Sequence, residues 1–198
     1  MAKQRIGIFG GTFDPIHNGH VKLAASFLKK LHLDEVWFLV TPQNPWKQNN
    51  NLSPDEYRFE LVQKALEGHP GLVASDYEFH LDKPSYSYQT LRHLREDYPD
   101  KEFMLLIGAD NWVKFSNWAE YEEILANHSI AVYPRKGYEV DESTMPPNVQ
   151  FVKTRLYNVS STEIRARLAK GQSVARMVPK SILARLSPPT PKGGVKNS

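Results

Sequence analysis

Cysteine is absent from all 198 residues. Disulfides, cysteine-ligated zinc and thiol nucleophiles are therefore excluded, and a reducing, cytoplasmic location is expected. No stretch approaches the roughly 20 consecutive apolar residues that a membrane-spanning helix needs, so an integral membrane protein is not expected either. Met1 to Phe9 has no longer apolar core and no small-residue cleavage site behind it, which argues against a secretory leader. Acidic residues are almost missing from the last quarter. Residues 151–198 carry ten Lys/Arg and one acidic residue, Glu163, whereas residues 1–150 carry 15 Lys/Arg and 21 Asp/Glu. A basic segment of this kind attracts phosphate on nucleic acid, on a membrane surface or in a small nucleotide, and composition does not choose among them. With 40% hydrophobic and 24% charged residues, the chain suits one globular domain with a real core.

Short β-type runs alternate with longer helical patterns, and there is no internal repeat. Strands are expected at Arg5–Phe9, Val36–Val40, Leu72–Glu78, Phe103–Ile107, Ser129–Tyr133 and Val149–Lys153. Helices are expected over Val21–Leu31, from Ser53 onward, over Tyr88–Tyr98, over Trp118–Ala126, and as two terminal helices split by Gly171. At Ser53-Pro54-Asp55-Glu56 the pattern reads as a capping box with Ser53 as N-cap and Pro54 at the first helical position. This βαβα alternation predicts an α/β fold with a mainly parallel, doubly wound sheet flanked by helices, in one domain over residues 1–186. In such sheets ligands bind beyond the carboxyl ends of the strands. Residues 187–198, rich in Pro and Gly, are expected to form a flexible tail.

The first βα junction reads Gly10-Gly11-Thr12-Phe13-Asp14-Pro15-Ile16-His17-Asn18-Gly19-His20. It matches neither GxGxxG nor GxxxxGK[ST], so the dinucleotide and phosphate-loop readings lose support. What remains is a glycine pair that lets backbone approach a ligand, and two histidines three apart at a helix start. Helix N–H groups, the dipole and imidazole donors together suit phosphate oxygens. Taken singly, each piece also reads as a plain turn or a surface residue. A zinc site is disfavoured because no third ligand stands at an obvious spacing.

The eleven residues together closely resemble the GGTFDPxHxGH signature of the nucleotidyltransferase superfamily of adenylyl- and cytidylyltransferases. That resemblance implies a Rossmann-like fold and an ATP site made by Gly10, Gly11, Thr12, Phe13, His17 and His20. Downstream, Val159-Ser160-Ser161-Thr162-Glu163-Ile164-Arg165 resembles the family's ISSTxxR motif. Ser160 and Glu163 also have the spacing of a capping box, which is compatible with Ser160, Thr162 and Arg165 binding triphosphate. Gly108-Ala109-Asp110 and the Phe115-to-Trp118 pattern resemble the nicotinate-nucleotide adenylyltransferase branch. There Gly108 and Asp110 would belong to the nucleotide loop, and Trp118 would stack on a pyridine ring. By itself Trp118 reads sooner as a half-buried aromatic on an amphipathic helix than as a stacking platform.

Pro84 to Leu91 is similar to the same branch's PSYTxxTL segment, with Ser87 in the place of Thr, and Arg135 with Gly137 resembles its R-x-G segment. Where the branch has PPHK or PPHR, this chain has Asn44-Pro45-Trp46-Lys47, so Trp46 replaces a histidine and Lys47 is kept. The resemblance implies that ATP and nicotinate mononucleotide give deamido-NAD and pyrophosphate, with Mg²⁺ accompanying ATP. His17, His20, Lys47 and Arg165 would be catalytic, and Lys47, Ser87, Trp118 and Arg135 would hold the mononucleotide. Attack by an already anionic phosphate needs no protein nucleophile, so positioning and charge stabilisation would suffice. No dedicated protein metal site is expected, and neither nucleic acid nor membrane is an expected partner. Nicotinamide mononucleotide or phosphopantetheine are the alternative acceptors. The competing class is a non-catalytic nucleotide- or nucleic-acid-binding protein built on the basic C-terminal quarter, which has few aromatics and no nucleic-acid motif.

Overall fold

The computed structural model describes residues 2–42 and 52–186. Six strands form one sheet: β1 (Gln4–Gly11), β2 (Glu35–Val40), β3 (Leu72–Ser75), β4 (Lys101–Gly108), β5 (Ser129–Tyr133) and β6 (Val149–Phe151). Their order is β3-β2-β1-β4-β5-β6, and every pairing is parallel. Each strand-to-strand crossover carries helix: α1 (Asn18–Lys30), α2 (Asp55–Leu66), α3 (Ser87–Asp97), and the short α4 (Ala109–Trp112) with α5 (Tyr121–Asn127). The exception is the β5–β6 link, which holds a 3₁₀ turn at Glu142–Thr144. The chain closes with α6 (Ser161–Ala169) and α7 (Lys180–Leu183).

Side chains alternate along the strands and divide the core in two. Phe9 and Phe38 face α1, α2, α6 and α7 through Phe27, Leu61, Val62, Ile164 and Ile182. Ile6, Ile8 and Leu39 face the other way, onto Leu91 and Leu94 of α3 and Ile124 of α5. Burial of both sheet faces explains the unbroken apolar runs of β2 and β4. Strand order reverses between β1 and β4, both of which pair directly. Their carboxyl ends, Gly11 and Gly108, therefore open a crevice at the switch point of the sheet.

Several elements differ from the sequence reading in instructive ways. α2 begins at Asp55 with Pro54 as N-cap and no side-chain capping bond. Ser53 is otherwise engaged: its N–H donates to Asp14 Oδ2 at 3.2 Å and its carbonyl accepts from Arg58 Nε at 2.9 Å. The expected strand from Leu72 stops at Ser75 and gives way to a 3₁₀ turn over Tyr77–His80 that buries Glu78. Trp118 precedes the helix on which it was placed. It ends a 3₁₀ turn over Phe115–Asn117, and α5 starts at Tyr121 after Glu120 takes the left-handed region at φ 50°. β6 likewise ends at Phe151.

Candidate active site

α1 starts with a capping arrangement made of its own two histidines. His17 is the N-cap; its Nδ1 accepts from the His20 N–H, and the His17 N–H donates to His20 Nδ1, both at 3.3 Å. The rings stack with centroids 3.6 Å apart. Because both Nδ1 atoms accept, both ring protons reside on Nε2, so each imidazole carries a donor on the edge opposite its cap. Burial first, then the Arg135 charge, lowers the His17 pKa to about 4, so this ring is neutral at physiological pH. Only glycine fits between them. A Cβ on Gly19 would stand 2.8 Å from Val159 Cγ1 and 3.0 Å from His17 Nδ1.

The His pair opens onto a cleft lined by Gly10 to Phe13, His17, His20, Asp110, Arg135, Ser160, Thr162 and Arg165. α6 is stitched to the first loop across the whole sequence. Arg165 Nη1 donates to the Asp14 carbonyl at 2.6 Å and Ser161 Oγ to the Pro15 carbonyl at 2.9 Å. Ser160 caps α6, its hydroxyl accepting from the Glu163 N–H at 3.1 Å. Two helix N-termini thus converge on one cleft, with Arg165 at its wall, and that combination suits polyphosphate. Phe13, the only non-glycine of this loop with positive φ, lies at 45° and packs edge-on against His20.

Asp110 and Arg135 form an ion pair at 3.4 Å without hydrogen-bond geometry, and Asp110 Oδ1 is buried with no hydrogen-bond partner among the described residues. Gly108 makes room for both, since a Cβ there would collide with Asp110 Oδ1 and the Arg135 side chain. Arg135, expected at the mononucleotide, lines this cleft and the adjoining groove of Tyr133, Lys136, Arg155 and Tyr157, its guanidinium 5.4 Å over the Tyr133 ring. It does not line the second cavity.

That second cavity lies across Gly10 and Gly11 from the first. Trp118, Ser87, Ser85, Glu78, Thr90 and Asn111 line it, with Ile8, Leu39 and Leu105 below. Trp118 is half-buried there and packs on Phe115, at 5.3 Å between centroids. Lys47 and Trp46 lie outside the described residues.

Sequence reasoning missed Arg58, which is wholly buried. It donates to the carbonyls of Thr12 at 2.5 Å, Thr41 at 3.1 Å and Ser53 at 2.9 Å, and pairs with Asp55 at 2.5 Å. It thus fixes the glycine loop to the end of β2 and the start of α2. Its position on the same face of α2 as Leu61, Val62 and Ala65 was the available signal: a charge in an apolar stripe. Glu78 and Thr41 carried no such signal, because their neighbourhood is purely tertiary.

The cytidylyltransferase-like family model matches residues 8–167. A Bacteroides fragilis protein named "Probable nicotinate-nucleotide adenylyltransferase" is 47% identical over 186 residues, 94% of this chain and 92% of that one. A Cytophaga hutchinsonii protein of the same name is 39% identical over 90% of this chain and 93% of its own length. Among solved structures, the nicotinic acid mononucleotide adenylyltransferase of Plasmodium falciparum complexed with NaAD superposes with a TM-score of 0.77 at 20% identity, over 92% of this chain and 96% of the other. That structural likeness bears on fold. With the histidine-capped helix, the ISSTxxR-like cap and these relatives, the chain belongs to the nicotinate-nucleotide adenylyltransferase family, within the cytidylyltransferase-like nucleotidyltransferases.

Proposed function

We propose that the protein joins ATP and nicotinate mononucleotide to give deamido-NAD and pyrophosphate, a step of NAD biosynthesis. The observation that carries the reading is the pair of cavities meeting at Gly10 and Gly11, one lined by phosphate-binding groups and the other by Trp118 and polar side chains. ATP occupies the cleft of His17, His20, Ser160, Thr162 and Arg165, and the pyridine ring lies against Trp118. The mononucleotide phosphate then meets the α-phosphorus in line across bare backbone, a bimolecular step made effectively unimolecular. As pyrophosphate leaves, negative charge grows on the α- and β-phosphate oxygens. Neutral imidazoles stabilise it by donating from Nε2, and Arg165 by its fixed charge.

Among the described residues, no group of three or more His, Cys, Asp or Glu could hold a metal ion. Apart from Asp110, which pairs with Arg135, the polar side chains of the cleft are donors and cations, which fit phosphate oxygens. Mg²⁺ would accompany ATP, as the family resemblance implies, and would supply charge neutralisation on its phosphates. Lys47, which lies outside the described residues, is assigned to the phosphates on the motif alone.

Pyrophosphate release with Mg-ATP and each of nicotinate mononucleotide, nicotinamide mononucleotide and phosphopantetheine at matched concentration tests the assignment. The first is expected to give the highest kcat/KM. A preference for either of the others would reassign the acceptor, and release with none would end the catalytic reading.

A further inference from the structure

Four of the described residues line both cavities: Gly10, Gly11, Asn111 and Tyr133. The two glycines present only backbone. Tyr133 is 5% exposed, its ring packed on Phe9 and Phe27 with the Arg135 guanidinium over it. Asn111 is exposed, and its side-chain amide makes no hydrogen bond among the described residues. It is the exposed polar side chain of the shared wall. His17 and His20, by contrast, line the phosphate cleft and not the acceptor cavity.

The turn that carries Asn111 is fixed at both ends. β4 stops at Gly108, and Ala109, at 0% exposure, anchors the start of α4. At the other end Trp112 stacks on the buried Phe115, with centroids 5.4 Å apart. The Val113 N–H donates to the Ala109 carbonyl and the Lys114 N–H to the Asn111 carbonyl, both at 3.1 Å. Asp110 is spent on Arg135 in the phosphate cleft. Asn111 therefore stands between the cavities on a held backbone with its amide uncommitted.

We infer that Asn111 is a further catalytic residue, its two Nδ2 hydrogens bridging an oxygen of the ATP α-phosphate and an oxygen of the acceptor phosphate. The assignment rests on the proposed activity and deepens it. Two anions must close on each other here, and a neutral amide nitrogen offers two diverging donors, one for each. The acceptor oxygen forms its bond to the α-phosphorus as the bond to the pyrophosphate oxygen breaks, and the electron pair leaves with pyrophosphate. No proton passes through Asn111. Its part is to align the two groups and to stabilise charge with a donor already in place.

Single-turnover transfer, with calorimetric titration of each ligand alone, tests the bridge. Asn111→Ala is expected to slow transfer about a hundredfold while ATP and nicotinate mononucleotide, added separately, bind within about threefold of normal. Asn111→Asp keeps the size, removes both donors and adds a negative charge, and is expected to be slower still. Adenosine 5′-O-(1-thiotriphosphate) supplies a readout that a merely structural role would not move, because sulfur accepts hydrogen bonds poorly. The slowing caused by sulfur in one diastereomer is expected to be at least about threefold smaller in Asn111→Ala than in the unmodified protein. Transfer within about twofold of normal in Asn111→Ala would overturn the inference. So would an unchanged sulfur effect, or loss of binding of one ligand alone, which would confine the residue to a single subsite. Failure of the unmodified protein to turn over any of the three acceptors would instead overturn the proposed activity, and this assignment with it.

Discussion

The two histidines illustrate how much one helix turn can settle. Each caps the other's backbone through Nδ1, so the caps that start α1 also fix which nitrogen carries the proton. His20→Ala removes one donor to the phosphates while leaving the His17 cap acceptor in place. It is expected to lower kcat at least about a hundredfold with an unchanged circular dichroism spectrum, and near-normal kcat would remove His20 from the mechanism. His17 makes a second prediction, about stability. Its folded pKa of about 4 lies below the usual 6.5, so the unfolded chain binds the extra proton first as pH falls. The contribution is intact above about pH 6.5 and is lost on acidification, approaching ~3 kcal/mol near pH 4. His17→Asn keeps a good N-cap and does not titrate. Denaturant midpoints measured for both proteins over this window are expected to show the variant losing less stability. Parallel curves would mean that His17 ionises freely in the folded protein.

At the scale of elements, the sequence was legible where structure is local and opaque where it is not. The Ser160 cap, the strand Ser129–Tyr133 and the apolar stripes of α1 and α3 follow from neighbours a few residues away, and they stand where periodicity put them. Ser53 had the same capping signature as Ser160, yet Asp14, 39 residues away, takes its N–H. Glu78 was read as part of a strand because nothing within ten residues reveals that Thr90 awaits it. Trp118 was found by motif while its helix was misplaced, because the turn at Glu120 depends on a left-handed residue that no propensity favours. Arg58 belongs to this class, and its importance can be measured. Arg58→Met retains the stem and removes every donor, orphaning the carbonyls of Thr12, Thr41 and Ser53. A loss of roughly 3 kcal/mol in urea denaturation is expected, with kcat falling as the glycine loop loses its tether. A stability change below about 0.5 kcal/mol would show that water replaces the guanidinium without penalty.

For the molecule as a whole, alternation of elements was enough to foresee the sheet and its parallel sense, because parallel crossovers leave few alternatives, and two cavities lie at the carboxyl end of β1, where such sheets place ligands. The charge asymmetry of the sequence acquires a location: Arg155 and Arg165, both from the basic last quarter, line the phosphate side of the crevice, while the acceptor side holds no basic lining residue among those described. The two cavities on either side of the end of β1 therefore differ in the charge of their linings.

Gly10 lies one residue before that strand end, and it lines both cavities. Among the described residues the nearest atom a Cβ would meet is Thr41 Oγ1, at 3.9 Å, and the backbone of Gly10 is not in the left-handed region, so alanine is expected to fold normally. The added methyl group would intrude only when both ligands are present. Gly10→Ala is accordingly expected to bind ATP and the mononucleotide separately with affinities within a few-fold of normal, while the transfer rate falls by about a hundredfold or more, since small misplacements are costly to reactions that depend on alignment. Isothermal titration of each ligand alongside single-turnover kinetics would separate the two effects. Loss of binding and rate together would place Gly10 inside one subsite. With the substrates placed as proposed, the bare peptide at this position would act as a spacer gauge: the thickness of a backbone without a side chain would set how closely two polyanions can be brought before they react.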